Sequence, residues 1–328
     1  MFTEKALPIC VLQILQKYSD ADHILTMKEI QSKLKKVYYL EPDRRTVSGA
    51  IKLLIETGYD ISDYNENRKG YYLVSRELEP SEIRVLMDAV YSFPFIEKAH
   101  SDTLIKKLRG LGSEYESMKY INSHLTVYRQ EQKTQNKQVF LNIEQIDDAI
   151  SRKKKISVRY MTYNENKELV PRREELYILN PFGMIYTNEH YYLVCNYDKY
   201  DNISLYRIDR MKDIIVLEDD IDTKKFIAEE IEEALNNAVY AFPGKAEKII
   251  FAFDRIVLND VIDRFKADIW IYKEKGTDRL MGKITAPTAG IRLWALQYLP
   301  YVEIMEPKQL REEIIGAMKR NRYGIKCE

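Results

Sequence analysis

The stretch from Pro181 to Arg210 most constrains the fold of this 328-residue chain. Aromatic and β-branched residues alternate there with polar ones at the two-residue period of half-buried strands, and short polar turns interrupt them. The stretch closes on two arginines three positions apart, Arg207 and Arg210. Guanidinium groups beside aromatic rings suit a ligand that carries phosphate or a nucleobase. We therefore expect a small sheet that presents such a binding surface.

Short strands with polar turns can be placed on both sides of this stretch. The predicted strands span residues 155–161, 169–179, 184–187, 191–196 and 204–209. Short strands with tight polar turns predict a small closed or nearly closed β-barrel.

Three helices and a hairpin are predicted at the N-terminus. Residues 5–18 carry an apolar stripe at helical spacing, and Thr26 with Glu29 forms a capping-box pattern for a second helix. A third helix is predicted to begin near Pro42 or Asp43 and to stop at Gly58. Strands at 59–61 and 70–74, joined by a polar loop, complete a helix-turn-helix with a wing.

The third helix and the wing are the candidate DNA contacts, because a helix fits the major groove and its start and outer side meet phosphates and base edges. The candidate DNA-binding residues are Lys28, Arg44, Arg45, Thr46, Ser48, Lys52, Arg68 and Lys69. Over residues 1–75, 11 basic residues face 10 acidic ones. Because that balance is nearly neutral, a domain that only docks a protein partner stays open.

The remaining segments suggest a linker and a C-terminal domain. Residues 79–111 predict helices broken at Pro94, whose apolar stripes pack on the same chain or on a second copy. A short helix is predicted at 143–150 and a longer one at 224–242. Beyond it, the order of elements is β-α-β-β-α-β, which is ferredoxin-like.

Composition excludes several classes of protein. The three cysteines and four histidines are scattered and lack the spacing of a metal site or a nucleophile with its base. No glycine-rich phosphate loop is present, so neither an enzyme nor any cofactor or metal is expected. No apolar run approaches a membrane span and no signal peptide is apparent. A cytoplasmic protein is expected.

The central block resembles the WYL domain of bacterial transcription regulators. Residues 191–193 stand at the family's tripeptide, with Tyr191 in place of Trp. Residues 156–160, 181–183 and 206–210 resemble the flanking strands. This resemblance implies an SH3- or Sm-like barrel whose effector-binding residues are Tyr160, Tyr192, Arg207 and Arg210, engaging nucleic acid or a nucleotide. The alternative stays open that the tyrosines fill the core and the arginines pair with Asp209 or Asp213.

Both flanking blocks are similar to the usual neighbours of that domain. Residues 44–47, followed by Ile51, Leu54 and Gly58, resemble its winged helix, and residues 293–311 resemble its C-terminal extension, often called WCX. The expected fold class is α+β. Its expected domains are a winged helix-turn-helix (1–76), a helical linker or dimerisation region (77–142), the WYL barrel (143–222), and a connecting helix with a ferredoxin-like WCX domain (223–328).

The resemblance implies a homodimeric regulator that binds double-stranded DNA and is tuned by an effector. The competing interpretation is an accessory protein that holds single-stranded nucleic acid on the barrel and docks a protein partner through the winged helix.

Overall fold

The computed structural model describes residues 4–115, 133–200, 202–222, 231–232, 246–274 and 276–320. The chain divides into two compact units, Met1–Thr134 and Gln135–Glu328. Apart from Ile231 and Glu232, the helix predicted over 224–242 lies outside the described residues. Within those residues, no helix is both long and apolar enough to cross a membrane. The fold is mixed α+β.

The first unit begins with three helices whose starts follow from local capping. They are α1 Leu7–Tyr18, α2 Met27–Tyr38 and α3 Arg44–Glu56. The Thr26 hydroxyl accepts the Glu29 backbone N–H, and the Glu29 carboxylate accepts the Thr26 N–H, so the predicted capping box is confirmed. Asp43 accepts the Thr46 N–H at 2.8 Å and fixes the start of α3.

A short hairpin follows α3 and consists of β1 Ile61–Ser62 paired antiparallel with β2 Tyr72–Leu73. The predicted strands are therefore shortened, and the predicted polar loop contains a one-turn helix, α4 Tyr64–Asn67, because Asp63 caps it by accepting the Asn65 and Glu66 N–H groups. Tyr71, just before β2, forms an isolated antiparallel β-bridge with Leu25, and Gly70 lets the two backbones approach closely there. A Cβ at Gly70 would lie 2.2 Å from the Leu25 carbonyl oxygen.

Apolar residues at helical spacing form the core of this region. It includes Val11, Ile14, Leu15, Ile30, Leu34, Val47, Ile51 and Leu54, which are all buried. Each such side chain contributes about 1.5–3 kcal/mol when it leaves water. The stripes predicted on the three helices thus pack against one another.

A helical pair, α5 Pro80–Ser92 and α6 Lys98–Arg109, completes the described part of this unit. The break predicted at Pro94 is confirmed.

The Lys133 ammonium donates to the carbonyls of Val90 and Phe93 at 3.2 and 3.0 Å and to the Ser101 hydroxyl at 2.7 Å. Burial lowers the pKa of Lys133. This ammonium closes the end of α5, where carbonyl groups lack helical partners.

The second unit starts with α7 Val139–Arg152, which is longer than the predicted helix. A six-stranded antiparallel sheet follows. Its strands are β3 Lys154–Tyr163, β4 Leu169–Pro171, β5 Tyr177–Thr187, β6 His190–Tyr197, β7 Ile203–Arg207 and β8 Met211–Asp220. They lie in the order β4-β3-β5-β6-β7, with β8 paired to β3.

Several details of the predicted barrel are wrong. The strand predicted at 169–179 is divided between β4 and β5, and residues 184–187 continue β5. The strand predicted at 204–209 ends at Arg207, because Ile208–Arg210 forms a 3-10 turn, and β8 was not predicted. Among the described strands, no pairing joins β7 to β8, so the sheet does not close into a barrel.

The C-terminal part has the predicted β-α-β-β-α-β order. Its elements are β9 Ala246–Phe253, α8 Leu258–Phe265, β10 Trp270–Lys273, β11 Leu280–Pro287, α9 Thr288–Gln297, β12 Val302–Glu306 and a final α10 Lys308–Lys319. The four strands form an antiparallel sheet in the order β10-β11-β9-β12.

One face of this sheet packs on the helices. Phe251 and Trp294 are buried there with ring centroids 5.1 Å apart. A Cβ at Gly282 would lie 2.6 Å from the Phe251 ring, so glycine is required on this face. The opposite face carries the alternate residues of each strand.

Candidate functional site

The four predicted effector-binding residues come together at one region of the six-stranded sheet. Tyr192 on β6 lies directly opposite Arg207 on β7. The Tyr160 hydroxyl on β3 accepts the Arg207 backbone N–H at 3.2 Å. Burial raises the pKa of Tyr192, the charges of Arg207 and Arg210 lower it, and the charge of Asp209 raises it. The Tyr192 ring therefore lies near two guanidinium groups and one carboxylate.

Tyr160 fills the core as well as touching the site. Its side chain is buried, and its ring meets Tyr177 and Tyr206 edge-on at centroid distances of 6.0 and 4.9 Å. Burial raises the pKa of its hydroxyl. Tyr160 thus holds the Arg207 backbone in place through its hydroxyl. Tyr192 is only half-buried and is therefore the more accessible of the two rings.

Arg207 is held by groups of its own chain. Its Nε lies 3.0 Å from Oδ1 of Asp209 and its Nη2 lies 2.7 Å from Oδ2, a bidentate pair. Only 4% of the Asp209 side chain is exposed. For Arg207, the pairing left open by the sequence is therefore realised. Asp213 lies instead 3.5 Å from Arg159.

His190 is a third member of this arrangement. Its Nδ1 lies 3.1 Å from Arg207 Nη2. Because a guanidinium can only donate, Nδ1 accepts and the imidazole proton resides on Nε2. Burial lowers the pKa of His190, and the charge of Arg207 lowers it further. The lowered pKa favours the neutral imidazole that this contact requires.

Arg210 differs from Arg207 in its contacts. Its Nε is buried, and among the described residues no acceptor meets it. Its guanidinium carbon lies 5.7 Å from the centroid of the Tyr163 ring, within cation–π range. A buried donor without a partner costs free energy. Of the two predicted arginines, Arg207 has a carboxylate partner, whereas Arg210 has none among the described residues.

Two buried asparagines hold the turn between these arginines. The Asn136 amide donates to the carbonyls of Asp209 and Met211 at 3.0 and 2.6 Å. The Asn142 amide donates to Ile208 and Met211 at 3.3 and 2.7 Å. These four bonds define the backbone from which Asp209 and Arg210 project.

All eight predicted DNA-binding residues are exposed. Arg44, Ser48 and Lys52 are four residues apart and therefore share one stripe of α3. The Thr46 hydroxyl donates to Asp43 at 3.0 Å, so it already serves the helix cap. Lys52 lies 3.6 Å from Glu56 in an exposed ion pair of little strength.

The other three lie away from α3 in sequence. Lys28 is in the first turn of α2, and Arg68 and Lys69 follow α4 in the hairpin connection, where Arg68 adopts a left-handed conformation.

Sequence reasoning missed His190 and Tyr163, and it named Asp209 only as one of two possible partners of the arginines. His190 could have been found, because it precedes Tyr192 by two residues in a strand and so shares its face. The position of Asp209 depends on the 3-10 turn, which no local pattern indicated.

No arrangement of three or more His, Cys, Asp or Glu in the described part of the chain is suited to a metal ion. Cys10 and Cys195 are buried free thiols, and burial raises the pKa of both. Cys327 lies outside the described residues.

Residues 142–216, which include all the residues of this site, match the WYL domain family. The chain contains a WYL domain. The Arg207 and Arg210 site lies inside it. No curated protein matches the chain.

Two solved structures are similar to the chain over 96% of its length, each at 13% sequence identity. One is proteasome accessory factor B/C (PafBC) of Arthrobacter aurescens, with a TM-score of 0.26. The other is a CRISPR Cas-related protein, with a TM-score of 0.38 and 89% of that chain covered. The chain spans about half of PafBC, 48% of that chain.

Proposed function

We propose that the protein is a transcription regulator that binds double-stranded DNA and responds to a phosphate-bearing effector, a nucleotide or a nucleic acid, on its WYL domain. The observation that carries this proposal is Arg210, whose buried Nε has no acceptor among the described residues and whose guanidinium carbon lies 5.7 Å from the centroid of the Tyr163 ring. Phosphate oxygens are the acceptors that a guanidinium binds best.

In this proposal the N-terminal helices and hairpin act as a winged helix. The α3 stripe of Arg44, Ser48 and Lys52 enters the major groove, and Arg45 and Lys28 contact the backbone. Arg68 and Lys69 add phosphate contacts from the hairpin. Support comes from the exposure of all these side chains.

The domain assignment made from the sequence completes the proposal. Residues 77–142 link and dimerise two chains, so that paired helices read half-sites about one helical turn apart. Residues 223–328 form the WCX extension. The protein acts in the cytoplasm and is not an enzyme.

The two arginines then have different tasks. Asp209 and His190 hold Arg207 in one orientation, so Arg207 shapes the site without reorganising. Arg210 contacts the effector phosphate, and Tyr163 and Tyr192 offer faces to a base. Effector binding must favour one protein geometry over another to change operator affinity.

The test of DNA binding uses random-sequence duplexes selected on the full chain, followed by affinity measurements between about 50 and 200 mM salt. The Arg44→Ala, Arg45→Ala double variant should weaken binding strongly and reduce the slope of log affinity against log salt by about 2. The matched control replaces another exposed adjacent basic pair outside the linker, Lys319→Ala with Arg320→Ala at the end of α10, and should bind as wild type. Equal binding by both variants would disprove the regulator.

The test of the effector site is the ligand that purified protein releases on denaturation. Wild type should release a nucleotide or oligonucleotide, and Arg210→Ala should release none. Arg210→Lys keeps the charge but loses the planar fork, so it should recover little. Release from Arg210→Ala equal to that from wild type would contradict the assignment.

The near-neutral charge of residues 1–75 favours one alternative, the accessory protein that binds single strands and docks a protein partner. Preference for single strands over every selected duplex, together with indifference to the Arg44 and Arg45 substitutions, would establish it.

A further inference from the structure

The C-terminal sheet exposes two aromatic rings that the WYL site does not involve. Trp270 is 70% exposed and Tyr272 is 42% exposed, both on the edge strand β10. Residues two apart in a strand point to the same side. Ile271, between the two, pairs with Gly282, which in turn pairs with Phe251, so Ile271 shares the buried face with Phe251. The rings of Trp270 and Tyr272 therefore stand on the opposite face of the sheet.

Basic side chains lie beside these rings. Lys283 on the central strand β11 is exposed and directly opposite Trp270, and Lys248 on β9 is exposed one step further along the same face. Among the described residues, neither lysine forms an ion pair. Both charges are consequently available to a ligand.

A concavity of about 540 Å³ adjoins Trp270. Asp268, Lys283 and Thr285 contribute to its lining. Together they supply an acceptor, a charged donor and a hydroxyl, the groups that recognise base edges.

We propose that this face binds single-stranded nucleic acid, with bases stacked on Trp270 and Tyr272 and a phosphate on Lys283. Rings on residues two apart in a strand are separated by about 6.6 Å, close to twice the stacking distance of about 3.4 Å between bases. Stacking on aromatic rings of an antiparallel sheet is a general mode of single-strand recognition.

Charge decides between nucleic acid and a protein partner. Protein interfaces are enriched in aromatic residues but depleted of lysine. Here Lys283 stands directly opposite Trp270 and forms no ion pair among the described residues, and an anionic backbone satisfies both features. The site lies outside the WYL domain and goes beyond the function proposed above.

The test uses the full chain and a fluorescein-labelled oligouridylate and oligothymidylate of about 12 nucleotides each. Trp270→Ala and Tyr272→Ala should each weaken binding by about tenfold or more, as expected when a stacked base is lost. Trp270→Phe keeps a ring and should lose less. Lys283→Glu should weaken binding and reduce its salt dependence.

Intrinsic fluorescence gives a second readout, because the chain has only two tryptophans and Trp294 is buried. Oligonucleotide should quench wild type. It should leave Trp270→Phe unquenched, since the remaining signal then comes from Trp294 alone.

Matched controls come from the same domain. Tyr301→Ala removes another ring that is 40% exposed, and Lys308→Glu reverses an exposed charge on α10. Both should bind as wild type. The Arg207→Ala, Arg210→Ala variant should still show quenching of Trp270, which separates this site from the WYL site.

Two results would overturn the proposal. One is unchanged oligonucleotide affinity in Trp270→Ala with Tyr272→Ala, provided circular dichroism shows that the variant is folded. The other is a shift of that variant to lower mass in sedimentation velocity without any change in oligonucleotide binding, which would assign the face to protein association.

Discussion

Arg207 and Asp209, two residues apart, form a bidentate ion pair in which Asp209 is almost fully buried and Arg207 is 22% exposed. The pair spans the point where β7 ends and the 3-10 turn begins. It therefore orients one arginine of the effector site and also fixes the turn that carries the other.

Replacing Asp209 should destabilise the fold. Asp209→Asn leaves the Arg207 charge without its counter-ion, and we expect a loss of about 3 kcal/mol, the lower end for a buried pair because Arg207 keeps some contact with water. Chemical denaturation measures the change. Asp213→Asn is the matched control, since Asp213 is exposed and should cost less than about 0.5 kcal/mol. Equal losses would contradict the structural role of the pair.

His190 should make stability depend on pH. Its pKa in the folded protein is lowered, whereas the unfolded chain has the ordinary value of about 6.5. Between those two values the unfolded state binds more protons, so stability falls as pH falls below about 6.5. His190→Gln should lose less stability than wild type between pH 7.5 and 5.5, measured by urea midpoints. A steeper loss in the variant would reverse the sign and refute the assignment.

Asn142 should matter for both the turn and the ligand. Asn142→Ala leaves the buried carbonyls of Ile208 and Met211 with fewer donors, and a cost of about 1–3 kcal/mol follows. Because the turn carries Arg210, effector affinity should fall as well. Glu144→Ala, an exposed position on the same helix, should leave both unfolding and ligand titrations unchanged. Normal ligand affinity in Asn142→Ala would show that the turn keeps its conformation without the Asn142 hydrogen bonds.

Gly49 should separate stability from DNA binding. A Cβ there would meet no protein atom within 4 Å, so Gly49→Ala should stabilise α3 by about 0.5–1 kcal/mol. The methyl group sits on the proposed groove-facing side, so duplex affinity should fall while the melting temperature rises. Gly58→Ala is the contrasting variant, because Gly58 has φ +100° and alanine there is strained. A rise in duplex affinity for Gly49→Ala would indicate that the DNA contacts a surface other than this side of α3.

Local patterns in the sequence were sufficient for most of the secondary structure. The Thr26 capping box, the apolar stripes of the N-terminal helices and the break at Pro94 each depend on residues within a few positions of one another. The alternation of apolar and polar residues from 181 to 210 likewise predicted strands. In the structure, Tyr192 lies opposite Arg207 in two of them. Such features follow from helix and strand periodicity alone.

Only the tertiary structure decided how the site is built. No local pattern indicated that β8 pairs with β3 or that Asn136 and Asn142 hold the turn. The sequence also left open which arginine pairs with Asp209, and the structure shows that it is Arg207. These outcomes depend on contacts between residues up to 75 positions apart, for example between Asn136 and Met211. Sequence periodicity reports the face on which a side chain lies, but the partner it meets depends on which distant backbone packs against that face.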